Sequence, residues 1–163
     1  MPALIRPLMF AVALIVVPLG AAAQQINFGG IRADTTAPVE VTADSLGVNQ
    51  ADGSATFTGN VVVGQGEMRL SAATVRIEYG ADGQSRIERL FASGGVTLVN
   101  ATEAAEAREA VYTIASGQIV LTGDVLLTQG QNVMSGEKLT VDLKTGTGAM
   151  DGRVRTILQP GGK

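Results

Sequence analysis

Phe57–Tyr79, FTGNVVVGQGEMRLSAATVRIEY, returns without a gap sixty-four residues later as Leu121–Leu143, LTGDVLLTQGQNVMSGEKLTVDL. Thr58, Gly59, Val61, Gln65, Gly66 and Ser71 recur as Thr122, Gly123, Val125, Gln129, Gly130 and Ser135. Apolar positions recur as apolar ones: Val62, Val63, Val75, Ile77 and Tyr79 meet Leu126, Leu127, Leu139, Val141 and Leu143. Self-similarity at a fixed offset marks stacked copies of one supersecondary unit, none of which buries its apolar face alone. Period-two alternation inside the copy identifies that unit as a strand, a turn and a second strand.

The rest of the chain reads the same way. Val39–Ala43 alternates Val39 and Val41 against Glu40 and Thr42, and Leu46 and Val48 open a second short strand. Ala51-Asp52-Gly53 is a hairpin turn, with Gly where positive φ is required. Ala55–Val63 follows, Gly64-Gln65-Gly66 turns, and Met68, Leu70, Val75, Ile77 and Tyr79 continue one face. After a turn at Gly80-Ala81-Asp82-Gly83, Ile87–Phe91 and Val96–Val99 are expected as two strands separated by Ser93-Gly94-Gly95. Ala101–Ala110, ATEAAEAREA, favours helix by propensity. The repeat register overlays Ala107–Thr113 on a strand, so a hairpin is expected there instead. Ile119 to Leu127, then Met134, Leu139, Val141 and Leu143, complete the second copy. Thr145–Gly148 is a glycine-rich turn, and Val154–Leu158 is a last strand stopped by Pro160. Many short strands with closely spaced turn signals give an all-β sandwich, jelly roll or barrel. Phe and Tyr total six and Trp is absent, so the interior is aliphatic.

Residues 1–23 have the layout of a cleaved signal peptide. Arg6 is the positive region, Leu8–Leu19 the apolar run, and Ala21-Ala22-Ala23 the small residues ahead of Gln24. Residues 24–38 are polar and are expected to form a flexible leader; 39–160 form one domain, and 161–163 a tail. Loss of Arg6 would take the net charge from −3 to about −4, which leaves no basic patch for nucleic acid. The chain lacks His and Cys. That removes the usual base of a nucleophilic triad, thiol nucleophiles and the commonest metal ligands. Carboxylates stand singly, and Gly64-Gln65-Gly66 precedes no helix that could cradle phosphate. No catalytic residue, metal site or cofactor is expected. Gly59-Asn60-Val61 and Gly123-Asp124-Val125 fit strand bulges.

Laid out together, these motifs resemble the OstA-like family, and most closely its periplasmic lipopolysaccharide-bridge member. The resemblance is carried by Ala43-Asp44-Ser45-Leu46, Phe57-Thr58-Gly59-Asn60-Val61 with Gln65-Gly66, and Leu121-Thr122-Gly123-Asp124-Val125 with Gln129-Gly130. Ser135-Gly136-Glu137-Lys138-Leu139 and Arg153–Leu158 add to it. It covers about Val39 to Pro160. It implies a twisted, open-ended β jelly roll whose interior carries lipid A acyl chains. It also implies head-to-tail stacking between an inner-membrane transport complex, with its anchored OstA-like subunit, and an outer-membrane translocon.

By position, Val39 and Val41 match the family's N-terminal groove residues. By alternation, Phe57, Val61, Val63, Leu70, Val75, Ile77, Leu98, Tyr112, Ile114, Leu121, Val125 and Val141 face the same interior. Core packing accounts for each of them as well as lipid contact does. The terminal edges open to strand addition are Val39, Val41 and Ala43 at one end and Val154, Thr156 and Leu158 at the other. The expectation is a non-enzymatic periplasmic lipopolysaccharide carrier that forms a head-to-tail homo-oligomer. Its rivals are the membrane-anchored member of the same bridge and a polymerising β-repeat scaffold without a ligand.

Overall fold

A computed structural model of the chain describes residues 25–27, 31–81 and 86–160. Its strands are β1 (Gln25–Asn27), β2 (Glu40–Thr42), β3 (Ser45–Val48), β4 (Ala55–Gln65), β5 (Met68–Tyr79) and β6 (Ile87–Asn100). They continue as β7 (Glu103–Thr113), β8 (Gln118–Gln129), β9 (Asn132–Asp142), β10 (Thr147–Asp151) and β11 (Arg155–Ile157). All pair antiparallel in one sheet along the path β1-β10-β9-β8-β7-β6-β5-β4-β2. β3 also pairs with β4, and β11 with β9. Among the described residues the two ends of the path do not pair with each other, so the sheet is open rather than a closed barrel. The repeat is now explicit: Phe57–Tyr79 is most of β4–β5, and Leu121–Leu143 most of β8–β9.

Each long strand is interrupted near its middle. The register shifts between Thr58 and Val61, Ser71 and Thr74, Ser93 and Val96, Glu106 and Glu109, and Thr122 and Val125. An extra residue in one strand kinks the ladder and increases its twist. With the kinks aligned across five strand pairs, the sheet folds along a line into two facing walls, a twisted jelly roll. Wall A holds the hairpin tips at Gly66, Ala101 and Gly130; wall B holds those near Gly80, Gly117 and Gly146. The inner side chains of both walls form one apolar cluster. At each edge the last strand is split by the same fold line, β2 and β3 flanking β4, and β11 and β10 flanking β9.

Several expectations are corrected. Ile87–Phe91 and Val96–Val99 are one strand, β6. Gly94 and Gly95, at φ +81° and +86°, supply a kink that keeps the ladder going on both sides. Thr145–Gly148 is only half turn, because β10 begins at Thr147 and sets Gly148 opposite Val141. Gln65 belongs to β4, and the turn falls at Gly66-Glu67. The expected flexible leader is also largely built into the fold. β1 pairs with β10, Ile31 is buried at 1% exposure, and Ala33 N–H donates to Leu143 O at 3.1 Å. Polar composition concealed this, since the segment is held mainly through backbone groups. Ala101–Ala110 is the expected hairpin: after a tip at Ala101-Thr102, β7 turns Ala105 and Ala110 inward and Glu106 and Glu109 outward. Residues 1–23 and 161–163, with the signal peptide and tail expected there, lie outside the described residues, as does part of the Gly80–Gly83 turn.

Candidate lipid-binding groove

The sequence-nominated residues converge. Val61, Val63, Leu70, Leu98 and Val125 project inward from wall A, and Phe57, Val75, Ile77, Tyr112, Leu121 and Val141 from wall B. Val41 stands opposite Val63 on β2, and Val39 and Ile114 lie just past the ends of β2 and β7. Val39, Val41, Phe57 and Ile114 are partly buried at the margins, and the others are buried. They pack against one another, together with Leu90, Leu127, Met134 and Met150. Alternation along the strands could have nominated that second group too. Ile31 was missed because residues 24–38 were read by their polar composition, although Ile31, Ala33, Thr35 and Ala37 alternate with exposed Arg32, Asp34, Thr36 and Pro38. The apolar interior runs across the strands, from the β2/β3 edge to the β10/β11 edge.

Of the edge residues, Val39, Val41 and Ala43 are half-buried, whereas Val154, Thr156 and Leu158 are exposed. Leu46 and Val48 on β3 are each 57% exposed, and Leu158 beyond β11 is 66% exposed. Leu46 pairs with Phe57 and Val48 with Ala55, which places both on the inner face of wall B. The apolar lining therefore reaches solvent at the N-terminal edge.

Polar groups gather where the open rims of the two walls approach. Tyr112 of wall B donates its hydroxyl to Gln65 Oε1 of wall A at 2.6 Å. Burial pushes the Tyr112 phenol up to about 12. Gln65 Nε2 in turn donates to Thr35 O at 3.1 Å and Ala37 O at 2.9 Å. The repeat counterpart of Gln65, Gln129, donates to Glu103 Oε1 at 2.6 Å. Sequence reading assigned Gln65 to a turn, although its exact recurrence as Gln129 was the available signal of a role. Arg32, Arg69 and Lys144 supply positive charge along the rim, and each donates to backbone carbonyls there. Among the described residues no group of acidic side chains could hold a metal ion.

This arrangement defines an open-ended, antiparallel β jelly roll with an aliphatic interior running lengthwise and polar groups confined to its rim. Residues 40–147 match the family described as LptA/(LptD N-terminal domain) LPS transport protein. The chain belongs to this OstA-like family. It is 32% identical over 141 residues to an uncharacterised protein of Rhizobium meliloti (strain 1021), covering 80% of this chain and 76% of that one. It is 26% identical over 121 residues to the lipopolysaccharide export system protein LptA of Escherichia coli (strain K12). That match covers 70% of this chain and 64% of the relative. The fold superposes on the crystal structure of LptH, the LptA-homologous periplasmic component of the lipopolysaccharide transport device of Pseudomonas aeruginosa, with a TM-score of 0.69. Sequence identity there is 23%, over 78% of this chain and 99% of LptH.

Proposed function

We propose that this protein is a non-enzymatic periplasmic carrier of lipopolysaccharide that shields lipid A acyl chains between its two walls. The observation that carries the reading is the interior itself, aliphatic from edge to edge in an open sheet and reaching solvent at the β3 edge. Transfer of an acyl chain from water into such an interior is favourable by about 0.8 kcal/mol per methylene. Burial alone therefore supplies a large driving force without catalysis. The interior residues named above are the proposed lipid contacts.

The two sheet ends differ, so one end of a copy meets the other end of the next. Such a contact is heterologous and extends without closing. Val39, Val41 and Ala43 are the proposed edge at one end, and Val154, Thr156 and Leu158 at the other. Stacked this way, copies would join an anchored subunit of an inner-membrane complex to an outer-membrane translocon, with export directed by residues 1–23.

Photocrosslinking in cells tests the reading, with the probe at Val41, at Phe57 and at Arg76. Arg76 points outward from wall B, where it pairs with Glu78 at 2.8 Å and Asp52 at 3.3 Å. Lipopolysaccharide adducts are expected at Val41 and Phe57 only. Adducts to protein alone at these two positions would instead identify a polymerising scaffold.

A further inference from the structure

Residues 31–38 lie along the open rim of the jelly roll and are fastened to both walls. On wall A, Asn100 Nδ2 donates to Arg32 O at 3.1 Å, and Gln65 holds Thr35 O and Ala37 O. On wall B, Ala33 N–H donates to Leu143 O at 3.1 Å and Arg32 Nε to Lys144 O at 3.1 Å. The route is fixed by where its ends are anchored. β1 lies on the β10 edge and β2 on the β4 edge, at opposite ends of the nine-strand path. That path spans on the order of 38 Å at the usual inter-strand spacing. Between Ala33, held by Leu143 just beyond β9, and Ala37, held by Gln65 of β4, the segment runs lengthwise over the rim.

We propose that residues 31–38 form a removable strap, closed over the rim of the apolar interior and displaced when an amphiphile with a bulky polar head is loaded. The proposal rests on the carrier reading above. An amphiphile places its chains inside and keeps its head in water, because burying an unpaired polar head is costly. The rim is where a head would emerge, and the strap occupies it. Its attachments suit release. Most are hydrogen bonds that water can replace, and the apolar contacts are confined to one end, where Ile31 is buried and Ala33 packs against the core cluster. The Asp34–Thr36 turn is internal to the strap, with Thr36 N–H and hydroxyl donating to Asp34 Oδ1 at 2.9 and 2.6 Å. It can therefore persist when the strap lifts.

The test is a disulfide lock, Asp34→Cys with Gly66→Cys. The chain has no native Cys to interfere. A Cβ added at Gly66 would lie 3.9 Å from that of Asp34, within the range a disulfide spans. The probe is purified lipopolysaccharide carrying a fluorophore on its sugar portion, with uptake followed for oxidised and reduced protein. Uptake by the oxidised form is expected to be slower by about tenfold or more, and restored by reductant. The strain of a side chain at Gly66 is common to both forms and cancels. Equal uptake by both forms would overturn the strap and leave the carrier reading standing. Absence of uptake by the reduced form and by the unaltered protein would overturn both. Gln65→Met, which removes two of the latching bonds, should take up the same probe several-fold faster and be cut sooner by trypsin after Arg32. Unchanged rates in a folded Gln65→Met protein would also overturn the strap.

Discussion

Tyr112 and Gln65 form a buried hydrogen bond that joins wall B to wall A at the rim of the aliphatic interior. A buried acceptor that loses its donor costs about 1–3 kcal/mol. Tyr112→Phe leaves Gln65 Oε1 in that position and should lower stability by this amount at neutral pH. The phenol adds a pH signature. Its folded pKa is about 12, above the ordinary value of 10.0. Between pH 10 and 12 the unfolded chain therefore loses this proton while the folded one keeps it, and stability falls as pH rises. Denaturant titrations at pH 9 and 11.5 should show a decline in the unaltered protein that is smaller in Tyr112→Phe. Equal declines would mean that Tyr112 is not the group responsible. Little of this was legible in the sequence. Alternation placed Tyr112 inside correctly, but it carries no information on which polar atom a buried hydroxyl meets. Gln65 stood beside two glycines and looked like a turn residue. The fourteen interior positions were legible because each side chain's face is a local property of its strand, set by period two.

The strands bend where a few residues take up left-handed backbone conformations. Gly59 and Asn60 sit at φ +83° and +45°, and their repeat counterparts Gly123 and Asp124 at +84° and +46°. Glycine is required at Gly59 for two reasons. The conformation disfavours a side chain, and an added Cβ would stand 2.5 Å from Asp44 Oδ2 and 3.0 Å from Asp44 Cβ. Asp44 cannot move away freely, because Asn60 Nδ2 donates to its Oδ2 at 2.9 Å. Gly53 is a control with positive φ, +70°, and nothing within 4 Å of an added Cβ. Gly53→Ala should therefore cost about 1 kcal/mol from backbone conformation alone. Gly59→Ala should cost at least about 2 kcal/mol, with the urea midpoint shifted and the slope unchanged. Equal costs at the two sites would show that the close approach to Asp44 is unimportant. These bulges were legible at Gly59 and Gly123 because the repeat displayed them twice. Where the repeat was silent, elements were misread: Gly94-Gly95 looked like a break between two strands, and Gly148 hid the start of β10. A glycine in isolation does not distinguish a kink within a ladder from its end. ATEAAEAREA shows the opposite case, in which register from a distant copy outweighs local helix propensity.

At the scale of the molecule, the open path leaves two unlike ends, and the chain treats them differently. On wall B, β1 from the N-terminal segment covers the outer side of β10. At the other end β3 has no outer neighbour among the described residues, and Leu46 and Val48 present apolar side chains to water. An uncovered edge with an apolar inner face is where another copy can add its strand and extend the interior. Leu46→Lys with Val48→Lys tests this without disturbing the monomer. Both residues are 57% exposed, so the fold should lose no more than about 0.5 kcal/mol each, as ordinary surface substitutions do. In an assembly, the same two ammonium groups would sit against the next copy's apolar lining, and burying unpaired charge there is strongly unfavourable. Sedimentation velocity over a concentration series should show the unaltered chain forming longer species while the double variant stays monomeric with its melting temperature retained. Lipopolysaccharide uptake per monomer should persist, since the variant leaves the rest of the interior intact. If the double variant polymerises as readily as the unaltered chain, the β3 edge is not the assembly surface, and stacking must proceed through β2 alone.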